Sequence, residues 1–164
     1  MNLPTWITFS RLFGVPILLF LLQAPVTSQS RLWGAAIFLI AASTDWLDGY
    51  LARKLNMVTD LGKFLDPLVD KLLVLAPLIM LVELHQIPAW GVFLLLAREL
   101  AVSGWRVNQT NISGANLWGK AKTVVQIVAV TVLILNWPGG VALFWLALAL
   151  TWISGAIYLW PRRA

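Results

Sequence analysis

Apolar residues along this chain fall into six long runs separated by short polar segments. The runs cover residues 12–22, 32–54, 66–84, 89–107, 117–136 and 141–160. They approach the ~20 residues that an α-helix needs to cross a bilayer. The pattern therefore predicts an all-α integral membrane protein with six transmembrane helices.

The segment before the first run has a different character. Residues 2–10 mix apolar and hydroxyl side chains around Trp6, and Pro4 lies where the first helical turn would begin. We interpret this segment as a short N-terminal interfacial helix that precedes the first span. A signal peptide is the alternative, because the first apolar run is short. The barely basic start, Pro25 directly after Ala24 and the five further apolar runs argue against it.

Composition supports the membrane class. Hydrophobic residues make up 60% of the chain and charged residues 12%, and the mean hydropathy is +0.82. A soluble domain carries about twice that charged fraction. We therefore expect residues 1–164 to form a single membrane-embedded domain.

The charge distribution predicts an orientation. Of the 12 lysines and arginines, only Arg31 falls at the predicted outer ends of the spans. The positive-inside rule then places both termini and the loops 54–65 and 107–116 in the cytoplasm. A net charge of +5 favours anionic partners, here lipid head groups or phosphorylated substrates rather than nucleic acid. The absence of cysteine excludes disulfides and thiolate metal sites.

Acidic residues are concentrated between residues 45 and 70. Five of the seven acidic residues lie there: Asp45, Asp48, Asp60, Asp66 and Asp70. A carboxylate in hydrocarbon costs roughly 2.5–3.5 kcal/mol, so a cluster of them indicates function. Spacings of three (Asp45, Asp48) and four (Asp66, Asp70) put each pair on one helix face. Such oxygen donors suit a hard divalent cation such as Mg²⁺, which would offset their mutual repulsion.

Each feature of this stretch also has a purely structural interpretation. Asp66 before Pro67 is typical of a helix N-cap with proline at the first helical position. Arg53 and Lys54 would serve as cytoplasmic anchors, and Gly49 would allow close helix packing. These interpretations explain the residues one at a time but leave the clustered carboxylates without a counter-charge.

The same residues form a recognisable motif. The sequence Asp45-x-x-Asp48-Gly49-x-x-Ala52-Arg53, eight further residues and then Gly62-x-x-x-Asp66-x-x-x-Asp70 resembles the signature of the CDP-alcohol phosphotransferases. Residues 2–11, 97–99, 106 and 118–123 are similar to the bacterial phosphatidylglycerophosphate synthase branch of that family. Thr5 departs from the pattern, since many relatives carry Asn after the proline.

The resemblance implies the CDP-alcohol phosphotransferase fold and a Mg²⁺-dependent transfer from CDP-diacylglycerol. Two Mg²⁺ ions, with Mn²⁺ as the alternative, would be held by Asp45, Asp48, Asp66 and Asp70, and Asp70 would also be the catalytic base. The residues that it implies for CDP-diacylglycerol binding are Thr5, Thr8, Asp48, Gly49, Ala52, Arg53 and Gly62.

The acceptor that the resemblance implies is glycerol 3-phosphate, with phosphatidylglycerophosphate and CMP as products. Its phosphate would be bound by basic residues of the fourth and fifth helices: Arg98, Arg106, Lys120 and Lys122. Because Lys120 and Lys122 are about 200° apart on a helix, we expect only one to face the site. The enzyme would lie in the bacterial cytoplasmic membrane as a multi-pass protein, in contact with membrane lipids and with its active site facing the cytoplasm.

Three alternatives stay open from the sequence. Another alcohol (serine, an inositol phosphate or phosphatidylglycerol) would serve the same chemistry. A divalent-cation transporter would also need clustered carboxylates, although such sites usually lie at the midplane between inverted repeats, and no repeat is visible here. For the oligomeric state, a homodimer is one alternative.

Overall fold

The computed structural model describes the backbone of residues 3–54, 60–107 and 117–159 and the side chains of residues 11–44, 68–105, 119 and 121–156. The backbone forms six helices: α1 (Leu3–Leu21), α2 (Ser28–Lys54), α3 (Asp60–Glu83), α4 (Ala89–Val107), α5 (Leu117–Ile134) and α6 (Gly140–Leu159). These described residues contain no strand. The all-α prediction is confirmed for them, and the bounds of α4 are those predicted.

The start of the chain corrects one prediction. We predicted an interfacial helix over residues 2–10 followed by a separate span, but α1 runs without interruption from Leu3 to Leu21. No glycine or proline lies between Thr5 and Phe13 to break the helix, and Pro4 occupies the first turn, where a missing N–H costs nothing. Arg11 therefore lies in the middle of a helix rather than at a junction.

Helix α2 begins earlier than its apolar run, because the preceding hydroxyl residues cap it. The Thr27 N–H donates to Ser30 Oγ (3.0 Å), and the Ser30 N–H donates to Thr27 Oγ1 (3.1 Å). This reciprocal pair is a capping box, which satisfies backbone donors at the start of the helix. Hydropathy alone predicted a start near residue 32.

Helix α3 also begins earlier than predicted, and this excludes an N-cap role for Asp66. The helix starts at Asp60, so Asp66 is its seventh residue and is not an N-cap. Asp66 and Asp70 are consequently one turn apart inside a continuous helix.

Helices α3 and α5 end with the same backbone motif. His85 (φ 56°) follows α3 and Asn136 (φ 54°) follows α5. The next amides return to the helix, Gln86 N–H to the Leu81 carbonyl (3.0 Å) and Trp137 N–H to the Val132 carbonyl (3.1 Å). Both ends are Schellman motifs, which satisfy carbonyl groups that the helix leaves unbonded.

Arg31 joins these helix ends. Its Nη1 donates to the Ile134 carbonyl at the end of α5 (2.9 Å). Gln86, with its amide oriented to suit both neighbours, donates to the Leu133 carbonyl (2.9 Å) and accepts from Arg31. Arg31, the one basic residue predicted at the outer ends of the spans, therefore connects α2 to the ends of α3 and α5.

The helices pack around a shared apolar core. Helix α1 contacts α2 and α3, α5 contacts α2, α3 and α6, and α4 contacts α3 and α6. Fully buried side chains from four helices meet in this core: Leu18, Phe38, Leu78, Leu81 and Phe144. When only the residues with described side chains are considered, no helix is both long enough and apolar enough to cross a membrane.

Candidate active site

The aspartates of the motif lie on two neighbouring helices. Asp45 and Asp48 are in the second half of α2, and Asp66 and Asp70 are in the first half of α3. The two helices pack against each other. Helix geometry puts the members of each pair one turn apart, so two packed helices each contribute two carboxylate residues.

Asp70 is held by an arginine from another helix. Nη1 of Arg11, in α1, donates to Asp70 Oδ1 at 2.8 Å. The arginine side chain is 2% exposed, whereas the aspartate side chain is 41% exposed. The ion pair thus has a buried cation on the protein side and a carboxylate that is open to its surroundings.

A cavity of about 360 Å³ lies beside Asp70, between α2, α3, α4 and α5. Among the residues with described side chains, the charged groups that line it are Asp70 and Lys71 from α3, Glu99 from α4 and Lys122 from α5. Leucine, valine and isoleucine side chains of α3, α4 and α5 form much of the remaining wall. The cavity therefore offers both carboxylate and ammonium groups to a polar ligand beside an apolar surface.

The charged residues of α4 and α5 form a network at this cavity. Glu99 Oε1 accepts from Lys122 Nζ and from Arg98 Nη1, the latter at 3.2 Å. Arg98 also donates from Nη2 to Ser154 Oγ in α6 at 2.6 Å. Lys122 is on the cavity wall, while Arg98 is 7% exposed and is not part of the lining.

A glycine makes room for the buried arginine. A Cβ atom at Gly155 would lie 2.8 Å from Arg98 Nε, closer than real Cβ contacts allow. The small residue on α6 therefore permits the Arg98 side chain to cross from α4 to Ser154.

Three residues of the predicted site, Asp70, Arg98 and Lys122, have described side chains, and the structure brings them together. Asp70 and Lys122 line one cavity, and Arg98 reaches Lys122 through Glu99. The other predicted residues have helical backbone, but their side chains lie outside the described set: Thr5, Thr8, Asp45, Asp48, Gly49, Ala52, Arg53, Gly62, Asp66, Arg106 and Lys120. Their predicted roles stay predictions.

Three contributors were missed by the sequence analysis. Arg11 was counted only among the basic residues at the inner ends of the spans, and Glu99 and Ser154 had no assigned role. Arg11 and Glu99 are charged residues inside largely apolar helices, which is a recognised sign of function. Ser154 has no comparable signal, because serine is common in helix packing.

The donor chemistry of the aspartates fits a divalent cation. Four carboxylate residues on two packed helices provide hard oxygen ligands of the kind that Mg²⁺ and Mn²⁺ prefer. Among residues with described side chains, no group of three or more potential ligands forms a metal site. The side chains of Asp45, Asp48 and Asp66 are not among these described residues.

The chain is similar to proteins of one known family over most of its length. The CDP-alcohol phosphatidyltransferase family matches residues 1–153. Similar proteins include the CDP-diacylglycerol–glycerol-3-phosphate 3-phosphatidyltransferase of Bacillus subtilis (strain 168), which is 43% identical over 96% of this chain and 93% of its own length. The enzyme of the same name from Escherichia coli (strain K12) is 38% identical over 99% of this chain and 96% of its own.

The family match extends from α1 into α6 and includes both aspartate pairs and the described cavity. The relatives are similar over almost the whole chain rather than over the motif alone. The chain therefore belongs to the CDP-alcohol phosphatidyltransferase family.

Proposed function

We propose that this protein transfers a phosphatidyl group from CDP-diacylglycerol to sn-glycerol 3-phosphate, giving phosphatidylglycerophosphate and CMP. The observation that carries the proposal is the cavity that Asp70 and Lys122 both line. A carboxylate suited to accept a proton and an ammonium suited to bind a phosphate then face one space. The names of the relatives, which contain both substrates, support the same reaction.

The bond changes are those of a single displacement at phosphorus. The acceptor hydroxyl oxygen forms a bond to the phosphorus that carries diacylglycerol, and the bond from that phosphorus to the bridging oxygen of CMP breaks. Asp70 takes the proton of the attacking hydroxyl as a general base. CMP leaves with the bridging oxygen, so atoms and charge balance.

The family is a divalent-cation-dependent phosphotransferase family. For this chain we propose Mg²⁺, two ions held by Asp45, Asp48, Asp66 and Asp70, with Mn²⁺ as a substitute. Bound there, the metal supplies charge neutralisation at the pyrophosphate and at the leaving CMP. The chain supplies the carboxylates on two packed helices and the neighbouring cavity.

The acceptor phosphate is assigned to Lys122. This lysine is on the cavity wall with Asp70, and it already has an anionic partner in Glu99. A phosphate would take a similar place beside the ammonium group. Arg98 supports the lysine through Glu99, and the role of Arg106 as a further phosphate ligand is part of the proposal. Lys120, about 200° from Lys122 on the same helix, is left out of the proposed phosphate site.

The donor is assigned to the first two helices and the start of the third. Arg53 offers a planar fork for phosphate, and Gly49 and Gly62 permit close approach of the nucleotide to the backbone. Thr5, Thr8, Asp48 and Ala52 complete the proposed donor site. The motif positions in the sequence support this assignment.

We further propose that the protein spans the bacterial cytoplasmic membrane, with the cavity open to the cytoplasm. Counted over its whole backbone range, which includes residues 157–159 outside the described side chains, helix α6 has 20 residues without a charged side chain. Twenty helical residues extend about 30 Å, the thickness of the hydrocarbon core. Large apolar side chains are exposed on the outside, such as Phe13 (70%) and Phe20 (76%) of α1. Membrane lipid would cover them.

Purified protein in lipid nanodiscs tests the reaction. CDP-diacylglycerol is supplied with one acceptor at a time, and CMP release is measured for glycerol 3-phosphate, serine, an inositol phosphate and phosphatidylglycerol. We expect rapid release with glycerol 3-phosphate and loss of release on chelation of divalent cations. Faster release with an acceptor that lacks a free phosphate would contradict the role of Lys122.

A further inference from the structure

Arg11 is buried in the protein yet contacts a residue of the proposed site. It is the ninth residue of α1, and its side chain is 2% exposed. Its partner, Asp70, is 59 positions away in α3 and lies on the cavity wall. Helices α1 and α3 pack against each other, so the contact crosses a helix interface.

A lipid-facing anchor would not have this environment. Arginine at a membrane boundary normally extends toward water or head groups, whereas the Arg11 side chain is enclosed by protein. A buried guanidinium is costly unless it is paired and hydrogen-bonded. The ion pair with Asp70 therefore explains why the Arg11 charge is tolerated inside the protein. Because Arg11 is buried and Asp70 is partly exposed, the arginine holds the carboxylate from the protein side.

We propose that Arg11 is a positioning residue for Asp70. Its Nη1–H holds Oδ1 of the carboxylate from the protein side, which restricts rotation of the carboxylate and presents it to the cavity. This inference rests on the proposed function, because it assumes that Asp70 takes the proton from the hydroxyl group of the acceptor substrate. In this proposal Arg11 acts through Asp70, the carboxylate that its Nη1 contacts.

The geometry predicts that a lysine cannot replace this arginine. The guanidinium is a rigid planar donor, while an ammonium on a flexible chain holds a carboxylate less firmly. A misplacement of a catalytic group by about 1 Å can cost about 10²-fold in rate. We therefore expect Arg11→Lys to lower kcat by about 10- to 100-fold while the KM values for both substrates change little.

The test uses the full-length protein in nanodiscs and four variants: Arg11→Lys, Asp70→Asn, the double variant, and Arg31→Lys as the control. Arg31 is also an arginine with a cross-helix contact, but it binds the Ile134 carbonyl at the opposite end of the bundle. Turnover is measured together with thermal unfolding and with Mn²⁺ binding to the substrate-free protein by electron paramagnetic resonance.

If Arg11 acts through Asp70, Arg11→Lys should lower kcat in the parent but not in the Asp70→Asn background. The Mn²⁺ affinity of Arg11→Lys should also fall, since Asp70 is a proposed ligand. Arg31→Lys should leave both quantities unchanged, whatever its effect on unfolding. An equal loss of kcat in both backgrounds would overturn the positioning role, because it would place the effect of Arg11 elsewhere.

The two proposals fail in different ways. Full turnover in Asp70→Asn would refute the base role and leave Arg11 with nothing to position. Loss of turnover in Asp70→Asn with parental turnover in Arg11→Lys would refute only the positioning role. If Arg11→Lys does not fold, Arg11→Gln takes its place, because the amide still donates to a carboxylate. Parental kcat and Mn²⁺ affinity in that variant would also refute the inference.

Discussion

Lys122 of α5 forms an ion pair with Glu99 of α4 on the wall of the cavity that Asp70 also lines. A phosphate that enters this cavity must therefore compete with a carboxylate for the lysine. The same carboxylate holds Arg98, whose other end is fixed by Ser154 of α6. Three helices thus determine where one ammonium group lies.

This relationship predicts how the acceptor is bound. Lys122→Met should raise the KM for glycerol 3-phosphate and leave the KM for CDP-diacylglycerol nearly unchanged. A hydrogen bond to a charged group contributes about 1.5–3 kcal/mol, so the increase should be about 10- to 150-fold. Steady-state kinetics with each substrate varied in turn measures both constants.

Thr123→Val is the matched control, because Thr123 also lines the cavity but its hydroxyl donates to the Gly119 carbonyl of its own helix. Its KM values should stay close to those of the parent. An equal rise in both KM values for Lys122→Met would show that the substitution disturbs the fold rather than one subsite.

A second prediction concerns Asp66, which lies inside α3 rather than at its start. Asp66→Asn should reduce turnover and shift its Mg²⁺ dependence to higher concentration, because a metal ligand loses its charge. Thermal stability should change little, since no helix cap is lost. A Mg²⁺ titration of CMP release and a thermal melt of the same sample provide the measurements. A large fall in stability with an unchanged Mg²⁺ dependence would assign a structural role to Asp66.

A third prediction concerns the space around Arg98. Gly155→Ala should destabilise the protein by about 1–3 kcal/mol, because the new methyl group would lie 2.8 Å from Arg98 Nε and the guanidinium is already fixed by Ser154 and Glu99. Denaturant unfolding in detergent micelles measures the change.

The control for this prediction is Gly104→Ala in α4, where nothing lies within 4 Å of the new Cβ. That change should stabilise the helix by about 0.5–1 kcal/mol, because alanine is the better helix former. Equal effects of the two substitutions would mean that Arg98 moves aside without cost.

The proposed topology gives a fourth prediction. The protein has no cysteine, so single cysteines report cleanly. Gln29→Cys is at the exposed start of α2, near the Arg31 end, and Ala121→Cys is exposed near the start of α5, beside Lys122. A membrane-impermeant maleimide should label the first in intact cells and the second only after permeabilisation. Labelling of Ala121→Cys in intact cells would reverse the proposed orientation.

Local chemistry explains how much of the fold was predictable. The apolar runs bounded α4 and α6 to within one residue of the observed Ala89–Val107 and Gly140–Leu159. Errors arose where helix formation does not require apolar residues. Thr27 and Ser30 extend α2 through capping bonds, and the polar start of α3 continues to Asp60.

The sequence alone determined the helical class, the clustering of aspartates and, through their spacing, the family to which the chain belongs. Spacing within one helix fixes which residues share a face, so the pairs Asp45–Asp48 and Asp66–Asp70 follow directly from residue numbers. Residue spacing did not determine which of the two lysines of α5 lines the cavity. The 200° separation from Lys120 predicted that one of the two faces the site, but only the packing of α5 against α3 showed that Lys122 does.

Tertiary structure alone decided which polar side chains from distant parts of the sequence contact each other. Nothing in the spacing of Arg11 and Asp70, or of Arg98 and Ser154, relates one residue to the other. These contacts depend on the rotation and depth at which α1 meets α3 and α4 meets α6, which are set by the packing of many apolar side chains at once. A buried charge must then find its partner within that packing, so the burial of Arg11 beside Asp70 is a property of the assembled helices and not of either segment.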